Sequence, residues 1–488
     1  MNHYKISNYI DFNHYIITNV VTIQTTSMNS HSSITFKTPI ALAALVAFAS
    51  ANVLAAEAGD PSLQQQVDAL KAQVAALQKQ VQPLTQAEAT AVQASANADK
   101  GFALVSPDSQ NSIRLRGLLQ VDSRWFFDKT IDNDTITIRR ARLGIDGKFA
   151  ETTQYQLIGE FAGTSATLLD ANIITTYSKE LQLELGRFKT PIGLEQLQGD
   201  SSSLFFTERS VVSQLIPNRD IGVQLGGKLF DGRITYAFGV FDGTLDGGNN
   251  TTQSDNNDSK DIAGRIIFSP WVNDKDSVFQ GLSFGFGGSN GVQDASSPLT
   301  SGYKSDGQQT IFAYNSGTVA NGRVARLSPQ LSYYRGPFGI FAEYVTSTAS
   351  VQRANNVGQL SHKAWQIEGG YVLTGEKSQY SGVIPATEFD RAKGTIGAVE
   401  VVARISSIKF DDASFINGTT TGFANPTTSA RSADTLGVGA NWYLNKFYRF
   451  SLDYEYTRFN LAPGASAVSN SVISHPEHVI LTRYQFSF

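Results

Sequence analysis

The sequence of 488 residues contains no cysteine and only two methionines. Without cysteine the chain can form neither disulfides nor thiolate metal sites, and it has no cysteine nucleophile. The formal net charge of −4 favours no particular class of partner, and no nucleic-acid partner is predicted. After residue 56 there is no run of about 18 consecutive apolar residues, so no transmembrane helix is predicted.

What the sequence does contain begins with a segment typical of secretion, from Met28 to Ala56. Lys37 supplies a positive charge, residues 39–49 form a short apolar core, and small residues near Ala55 or Ala56 offer a cleavage site. The core is too short to span a bilayer, and the alternative is a buried helix. Residues 1–27 fit no signal pattern. We therefore predict an upstream extension and signal peptide over 1–56, with Met28 as the hypothetical true start.

A heptad pattern follows over residues 57–84 and predicts a short coiled-coil helix. Apolar residues recur in alternating steps of four and three at Leu63, Val67, Leu70, Val74, Leu77, Val81 and Leu84. A single amphipathic helix lying on another surface is the alternative. Residues 85–110, rich in Ala, Gln and Ser, are interpreted as a linker.

From residue 111 onward the hydrophobic period changes to two. In the segment YRFSLDYEYTRF, Tyr448, Phe450 and Leu452 point one way, while Arg449, Ser451 and Asp453 point the other. Roughly sixteen such strands can be traced, and their connections alternate between short and long, as in outer-membrane barrels. The predicted fold is all-β: a 16-stranded antiparallel transmembrane β-barrel over 111–488, with the short N-terminal coiled-coil helix.

The connections give this barrel two different ends. YSKEL, FDGR, RGPF and LNKFYR are predicted tight turns at one end. Long polar loops are predicted at the other end over 242–260, 289–322, 346–360, 411–431 and 460–475. Residues 375–394 break the alternation, because they are too long for a turn at the short end.

The segment TITIRRARLGIDGKF, residues 135–149, places several cations on a strand with an apolar face. An arginine facing lipid near the midplane costs about 2–4 kcal/mol, so Arg140, Arg142 and Lys148 are predicted to face the lumen. Arg139 falls on the outward phase and is predicted to reach the membrane interface or a subunit contact. The preceding strand adds Arg114 and Arg116 to the lumenal side.

Side by side, these cations predict an anion pathway along one wall. The alternative is that acids on neighbouring strands neutralise them, namely Asp122, Asp146, Glu160, Asp170 and Glu184.

The longest early loop lies within the stretch from Arg187 to Leu225, after the fifth strand. Its middle is unusually apolar and would form an aggregation-prone apolar patch if exposed. We therefore predict that it folds inward and narrows the channel. The apolar residues are Leu204, Phe205, Phe206, Val211, Val212, Leu215 and Ile216. Lys189, Glu208, Arg209 and Arg219 would then lie near the constriction. Capping of the rim or a subunit interface is the alternative.

Together these motifs resemble the phosphate-selective porins of the O and P type. The resemblance covers about residues 111–488 and rests on IRRARLGIDGKF, GRFKTPIGLEQL, FTERS, PNRDIGVQL, YVLTGE, GAVEVVARISSI and the terminal RYQFSF, in this order. It implies a trimeric sixteen-stranded barrel in the Gram-negative outer membrane, with a third loop in the lumen and basic residues that guide anions. Arg139 and Arg140 resemble the family's basic pair, and Arg209 lies in the matching constriction loop.

The function expected from these features is an outer-membrane porin for passive diffusion of small anions, phosphate or polyphosphate among them, with no cofactor. Phosphate-selective members carry more lysine in the constriction loop, whereas Lys189 is the only lysine here between 188 and 227. A general or sugar-type porin is therefore the main alternative; a soluble sandwich adhesin and a barrel enzyme are the others. An enzyme is not predicted, because no G-x-S-x-G motif occurs and HPEH, residues 475–478, lacks further metal ligands.

Overall fold

The computed structural model describes residues 21–27, 30–36, 65, 68–76, 78–79, 92–97, 101–128, 133–201, 204–250, 257–299, 302–469 and 471–488. The chain divides into two compact units, Met1–Ala91 and Val92–Phe488. No helix among these residues is both long enough and apolar enough to cross a membrane.

In the first unit, strands β1 (Val21–Ser27) and β2 (Ser30–Phe36) pair antiparallel. Residues 65, 68–76 and 78–79 are helical. The apolar core and cleavage site of the predicted signal lie outside the described residues, as do Leu63, Val67, Leu77, Val81 and Leu84 of the heptad seam. The signal peptide and the pairing of the coiled coil stay predictions.

The second unit contains the predicted barrel. Sixteen antiparallel strands of the described chain close into one sheet, in which the last strand pairs with the first. The first nine are β5 (Ser112–Phe126), β6 (Thr135–Phe149), β7 (Thr153–Glu160), β8 (Thr167–Thr176), β9 (Gln182–Lys189), β10 (Arg219–Leu229), β11 (Ile234–Phe241), β12 (Asp261–Phe268) and β13 (Leu282–Pro298). The other seven are β16 (Thr318–Arg335), β17 (Phe338–Arg353), β18 (Asn356–Val372), β19 (Ala398–Lys409), β20 (Ser432–Tyr443), β21 (Tyr448–Asn460) and β22 (Glu477–Ser487).

Two further hairpins accompany the barrel. Strands β3 (Gln93–Asn97) and β4 (Gly101–Val105) lie within the segment interpreted as a linker, and β4 pairs with the start of β5. The other hairpin, β14 (Tyr303–Lys304) and β15 (Thr310–Phe312), forms inside a long loop.

The alternation of the sequence sets which side chains face outward. On β21, Phe450 and Leu452 are exposed on the outer face, while Arg449, Ser451 and Asp453 between them are buried inside. The same phase holds on β5, where Leu119 and Trp125 point outward. These phases agree with the prediction, because only one phase puts apolar side chains on the surface that meets lipid.

Most predicted connections are confirmed. Four long loops join strands at one end: loop 3 (190–218), loop 4 (242–260), loop 7 (410–431) and loop 8 (461–476). Loop 5 is shorter than predicted and spans 299–317, because β13 and β16 extend beyond their apolar parts. The tight turns at the opposite end lie where the sequence placed them.

The prediction of a long loop over 346–360 is wrong. β17 continues to Arg353 and β18 begins at Asn356, so two residues connect them. The polar sequence forms strand because its inner face packs: Val351 and Leu360 are buried with Phe423 of loop 7. At the other end of the barrel, the long connection that breaks the alternation spans 373–397. It folds back toward the barrel interior, where the Tyr380 hydroxyl donates to the carbonyl of Leu194 at 2.6 Å.

Candidate functional site

Loop 3 crosses the barrel and packs against the inner faces of β16–β22, which we call the covered wall. One contact is made by a helical turn, Leu194–Leu197, whose first N–H groups need acceptors outside the turn. The Glu343 carboxylate on β17 supplies them, with the N–H of Leu194 at 2.8 Å and that of Glu195 at 3.2 Å. The loop is therefore fixed to the wall opposite its own strands.

Inward polar side chains hold the main chain of residues 204–208. The side chain of Asn441 donates to the carbonyl of Phe205 at 2.7 Å, and Asp453 accepts the N–H of Thr207 at 2.7 Å. Arg404 donates to the carbonyl of Glu208 at 2.9 Å. Since an irregular segment has no ladder partners, these side chains replace the hydrogen bonds that a strand would make.

The apolar middle of loop 3 explains why it folds inward. Phe205 and Phe206 pack against Phe341 and Val402 of the covered wall. The following segment, 211–216, joins a larger apolar cluster with residues of loops 5, 7 and 8. All seven apolar residues that the sequence singled out are at most 4% exposed. The predicted inward folding is confirmed.

Behind loop 3 lies a buried charge cluster centred on Arg404, which the sequence did not reveal. Its guanidinium group lies 2.6 Å from Glu455, 3.4 Å from Asp306 of loop 5 and 3.5 Å from Glu368. It also lies 4.3 Å from the centre of the Phe206 ring. Burial raises the pKa of the Asp306 carboxyl well above its ordinary value, although Arg404 acts in the opposite direction.

Two cations predicted for the anion pathway, Arg140 and Arg142, meet two predicted for the constriction at Asp200, a residue of loop 3. Arg142 and Arg209 each form an ion pair with its carboxylate, and Arg140 lies 3.5 Å from it. Lys189 lies close by and donates to the carbonyls of loop residues 196 and 198 at 2.8 and 2.7 Å. The structure thus brings four predicted residues together around a carboxylate that the prediction missed.

The charges around Asp200 set its ionisation. Burial alone would raise the pKa of this carboxyl, but the guanidinium groups of Arg140, Arg209 and Arg142 outweigh it. They hold the pKa well below its ordinary range, so the group stays a carboxylate at neutral pH. The sequence did indicate that loop 3 would attract lumenal cations. Between its flanking strands the loop carries three acids, at 195, 200 and 208, and only one cation.

Arg139 corrects the expectation of an outward side chain. A β-bulge pairs Gln120 with Arg140 and Val121 with Ile138, which leaves Arg139 as the extra residue. Its guanidinium group turns inward and binds the Glu208 carboxylate at 2.5 and 3.0 Å. Both arginines of the pair therefore face the lumen.

Glu208 itself is held by several cations. Arg483, bound to Asp122 by two hydrogen bonds of 2.7 Å, also lies 3.5 Å from Glu208. Burial opposes ionisation of Glu208, but Arg139 and Arg483 lower its pKa below the ordinary value.

At the base of loop 3, Arg219 pairs with Asp170 at 2.8 and 3.1 Å.

The remaining predicted residues lie nearer the short-turn end. Arg114 binds Asp146 at 3.0 and 2.5 Å, and Arg116 lies 3.8 Å from the same carboxylate. Their side chains are 49% and 43% exposed. Lys148 is also exposed and pairs with no carboxylate of the described chain. Two guanidinium groups thus share one acid on a wall that loop 3 leaves uncovered.

A cavity of about 690 Å³ lies along this uncovered side. Most of its lining comes from β5–β12, whose inward residues we call the open wall, and loop 3, the turn at 446–447 and the end of the last strand contribute further residues. Seven cationic side chains line the cavity, against three acidic ones. The cations are Arg114, Arg116, Arg142, Lys189, Arg219, Arg265 and Lys446, and the acids are Asp170, Glu184 and Asp200. The passage beside loop 3 is therefore cationic.

The sequence profile of the family described as phosphate-selective porin O and P matches residues 113–488. This chain belongs to that family. As a porin it is a channel protein of the Gram-negative outer membrane, with its long loops extracellular and its short turns periplasmic.

Several solved structures are similar to this porin. The outer membrane channel DcaP of Acinetobacter baumannii shares 12% identity over 78% of this chain and 97% of its own, with a TM-score of 0.49. OmpT of Vibrio cholerae shares 13% identity over 78% and 98%, with a TM-score of 0.47. OprB of Pseudomonas putida shares 12% over 78% and 95%, with a TM-score of 0.49. No curated protein sequence matches this chain.

The histidines of HPEH have other partners in this porin. His475 lies 3.1 Å from Asp128, and His478 lies 2.8 Å from the Tyr454 hydroxyl. Among the described residues, no group of three or more histidine or acidic side chains is arranged to hold a metal ion.

Proposed function

We propose that this porin forms a water-filled channel for passive diffusion of small anions, phosphate and polyphosphate among them. The observation that carries the proposal is the cationic excess around the cavity, seven basic against three acidic side chains. A water-filled passage with low-dielectric walls concentrates ions of the opposite sign. Arginine adds a planar fork of donors that matches phosphate oxygens.

Arg114 and Arg116 contribute a net positive charge to this field, because their two guanidinium groups face one carboxylate. They share Asp146 between them and are almost half exposed, so water-borne anions can reach them. Exposed cations attract anions without holding them tightly, which a channel requires for release.

A general or sugar-type diffusion porin without phosphate selectivity is the second candidate. The observation that favours it is that the cations beside loop 3 are already paired with acids: Arg140, Arg142 and Arg209 with Asp200, and Arg219 with Asp170. In this alternative the passage would discriminate mainly by size.

The proposal extends to the setting of the channel. We infer a homotrimer in outer-membrane lipid, a signal peptide before about residue 57, and a coiled coil over 57–84 that reaches the periplasm or peptidoglycan. The apolar outer face of the barrel, with Leu143, Leu157 and Ile173 at least 48% exposed, supports burial against lipid or other subunits.

Reversal potentials in planar bilayers under a KCl gradient test the proposed function. We expect anion preference for the wild type, and Arg114→Glu with Arg116→Glu should shift the potential toward cations. The matched control reverses two exposed arginines, Arg431 and Arg458, which do not line the cavity. A wild-type potential near zero would favour the general porin, and cation preference would refute the anion channel.

A further inference from the structure

Asp200 lies at the centre of a cage of cations at the edge of the open cavity. Its two carboxylate oxygens are shared among three guanidinium groups, those of Arg140, Arg142 and Arg209. The ammonium group of Lys189 borders the same cavity. A carboxylate with two oxygens in a fork of guanidinium donors has the geometry of a bound oxyanion.

The cage side chains are positioned by contacts other than Asp200. Arg142 binds Glu160 at 2.8 Å, and Arg140 donates to the Gln120 side chain at 2.7 Å. Arg209 donates to the carbonyl of Gln198 at 2.7 Å and to that of Glu195 at 3.2 Å. Removing the carboxylate would therefore leave the donors in place.

The tip of loop 3 is likewise held by its main chain. The Gln120 side chain donates to the carbonyl of Asp200 at 2.8 Å, and Gln485 donates to that of Ser201. Neither contact involves the Asp200 carboxylate. Replacing the side chain removes a charge while the loop keeps these anchors.

We propose that Arg140, Arg142, Arg209 and Lys189 form an oxyanion site that the Asp200 carboxylate fills from within the chain. Asp200 is then a specificity-determining residue, because it keeps phosphate-like anions from being held beside loop 3 while they move along the open wall. This inference rests on the proposed function, since it assigns a role within the anion passage. A channel conducts when no site along it binds its ion too tightly.

The inference predicts a new block by inorganic phosphate when the carboxylate is lost. Chloride current through Asp200→Asn channels should be blocked by phosphate at a concentration about tenfold below that needed for the wild type, since two charge-assisted hydrogen bonds become available. Asp412→Asn is the matched control: it also removes one carboxylate that pairs with an arginine, Arg431, but neither residue lines the cavity. It should leave the blocking concentration within about twofold of the wild type.

Asp200→Ser is a second variant that also removes the carboxylate, and phosphate should block it as it blocks Asp200→Asn. In the double variant Asp200→Asn with Arg140→Gln, the loss of one negative charge is matched by the loss of one positive charge, so the phosphate block should weaken again. Equal phosphate block in the Asp200 and Asp412 variants would overturn the inference, because a general change of field would then explain both. Failure of both Asp200 variants to form channels would also overturn it, since the carboxylate would then be needed for folding. The wild-type reversal potential, measured in the same membranes, reports separately on the proposed function.

Discussion

The covered wall and the open wall of the barrel both carry arginine, but the two sets of arginines have different surroundings. Arg404 on the covered wall has a side chain 0% exposed and lies among three acidic residues beneath loop 3. Arg114 on the open wall has a side chain 49% exposed and shares its one acid with Arg116. The same residue type fixes a loop on one side and faces water on the other.

This difference shows that coverage by loop 3 decides what each lumenal charge does. A buried ion pair is costly to break, because the remaining partner keeps its charge away from water. An exposed pair contributes little to stability, but its field reaches ions in solution. Strand alternation alone places both sets on the inner face and cannot separate these roles.

The largest expected effect is a difference in stability between variants that lack one arginine on the covered wall or one on the open wall. Arg404→Met leaves Glu455, Glu368 and Asp306 without their shared cation, and we expect the free energy of unfolding to fall by about 3–5 kcal/mol. Arg114→Met should cost less than about 1 kcal/mol. Denaturant unfolding of the detergent-folded barrel measures both. Equal losses would show that coverage does not distinguish the two walls.

A smaller effect should follow from loosening loop 3 on the periplasmic side. Tyr380→Phe removes the hydroxyl bond to the Leu194 carbonyl and should cost about 0.5–1.5 kcal/mol, with noisier single-channel current because loop 3 loses a support.

Tyr333→Phe is the matched control, since its hydroxyl donates to the Val278 carbonyl at 2.6 Å at an exposed turn and Tyr333 does not line the cavity. Its current should match that of the wild type. Similar noise in both variants would mean that segment 373–397 does not steady loop 3.

The barrel could be predicted from the sequence because its signals are local. Alternation of residues such as Phe450 and Ser451 fixes the phase of a strand, and the apolar run through Phe205 and Val212 marks a loop that must find cover. Both predictions follow from the free-energy cost of placing a polar side chain in lipid or an apolar side chain in water.

The features that were missed depend on long-range pairing. Arg139 turns inward because of one bulge, which depends on how two strands meet rather than on either sequence alone. Asp200 meets Arg140 and Arg142 only after loop 3 folds across the barrel. The polar residues around Arg353 form strand because loop 7 covers them. None of these pairings can be derived from periodicity.

The most direct test asks which wall lines the passage. It is possible because the chain contains no cysteine, so that a single introduced cysteine is the only thiol. Single cysteines would replace Gln156, which lines the open cavity, or Ser451, which is buried on the covered wall. A negatively charged thiol reagent is then added during single-channel recording. We predict that the reagent reduces the current only in the Gln156→Cys channel. Rapid reaction at Ser451→Cys, with no change at Gln156→Cys, would contradict the assignment of the passage to the open wall.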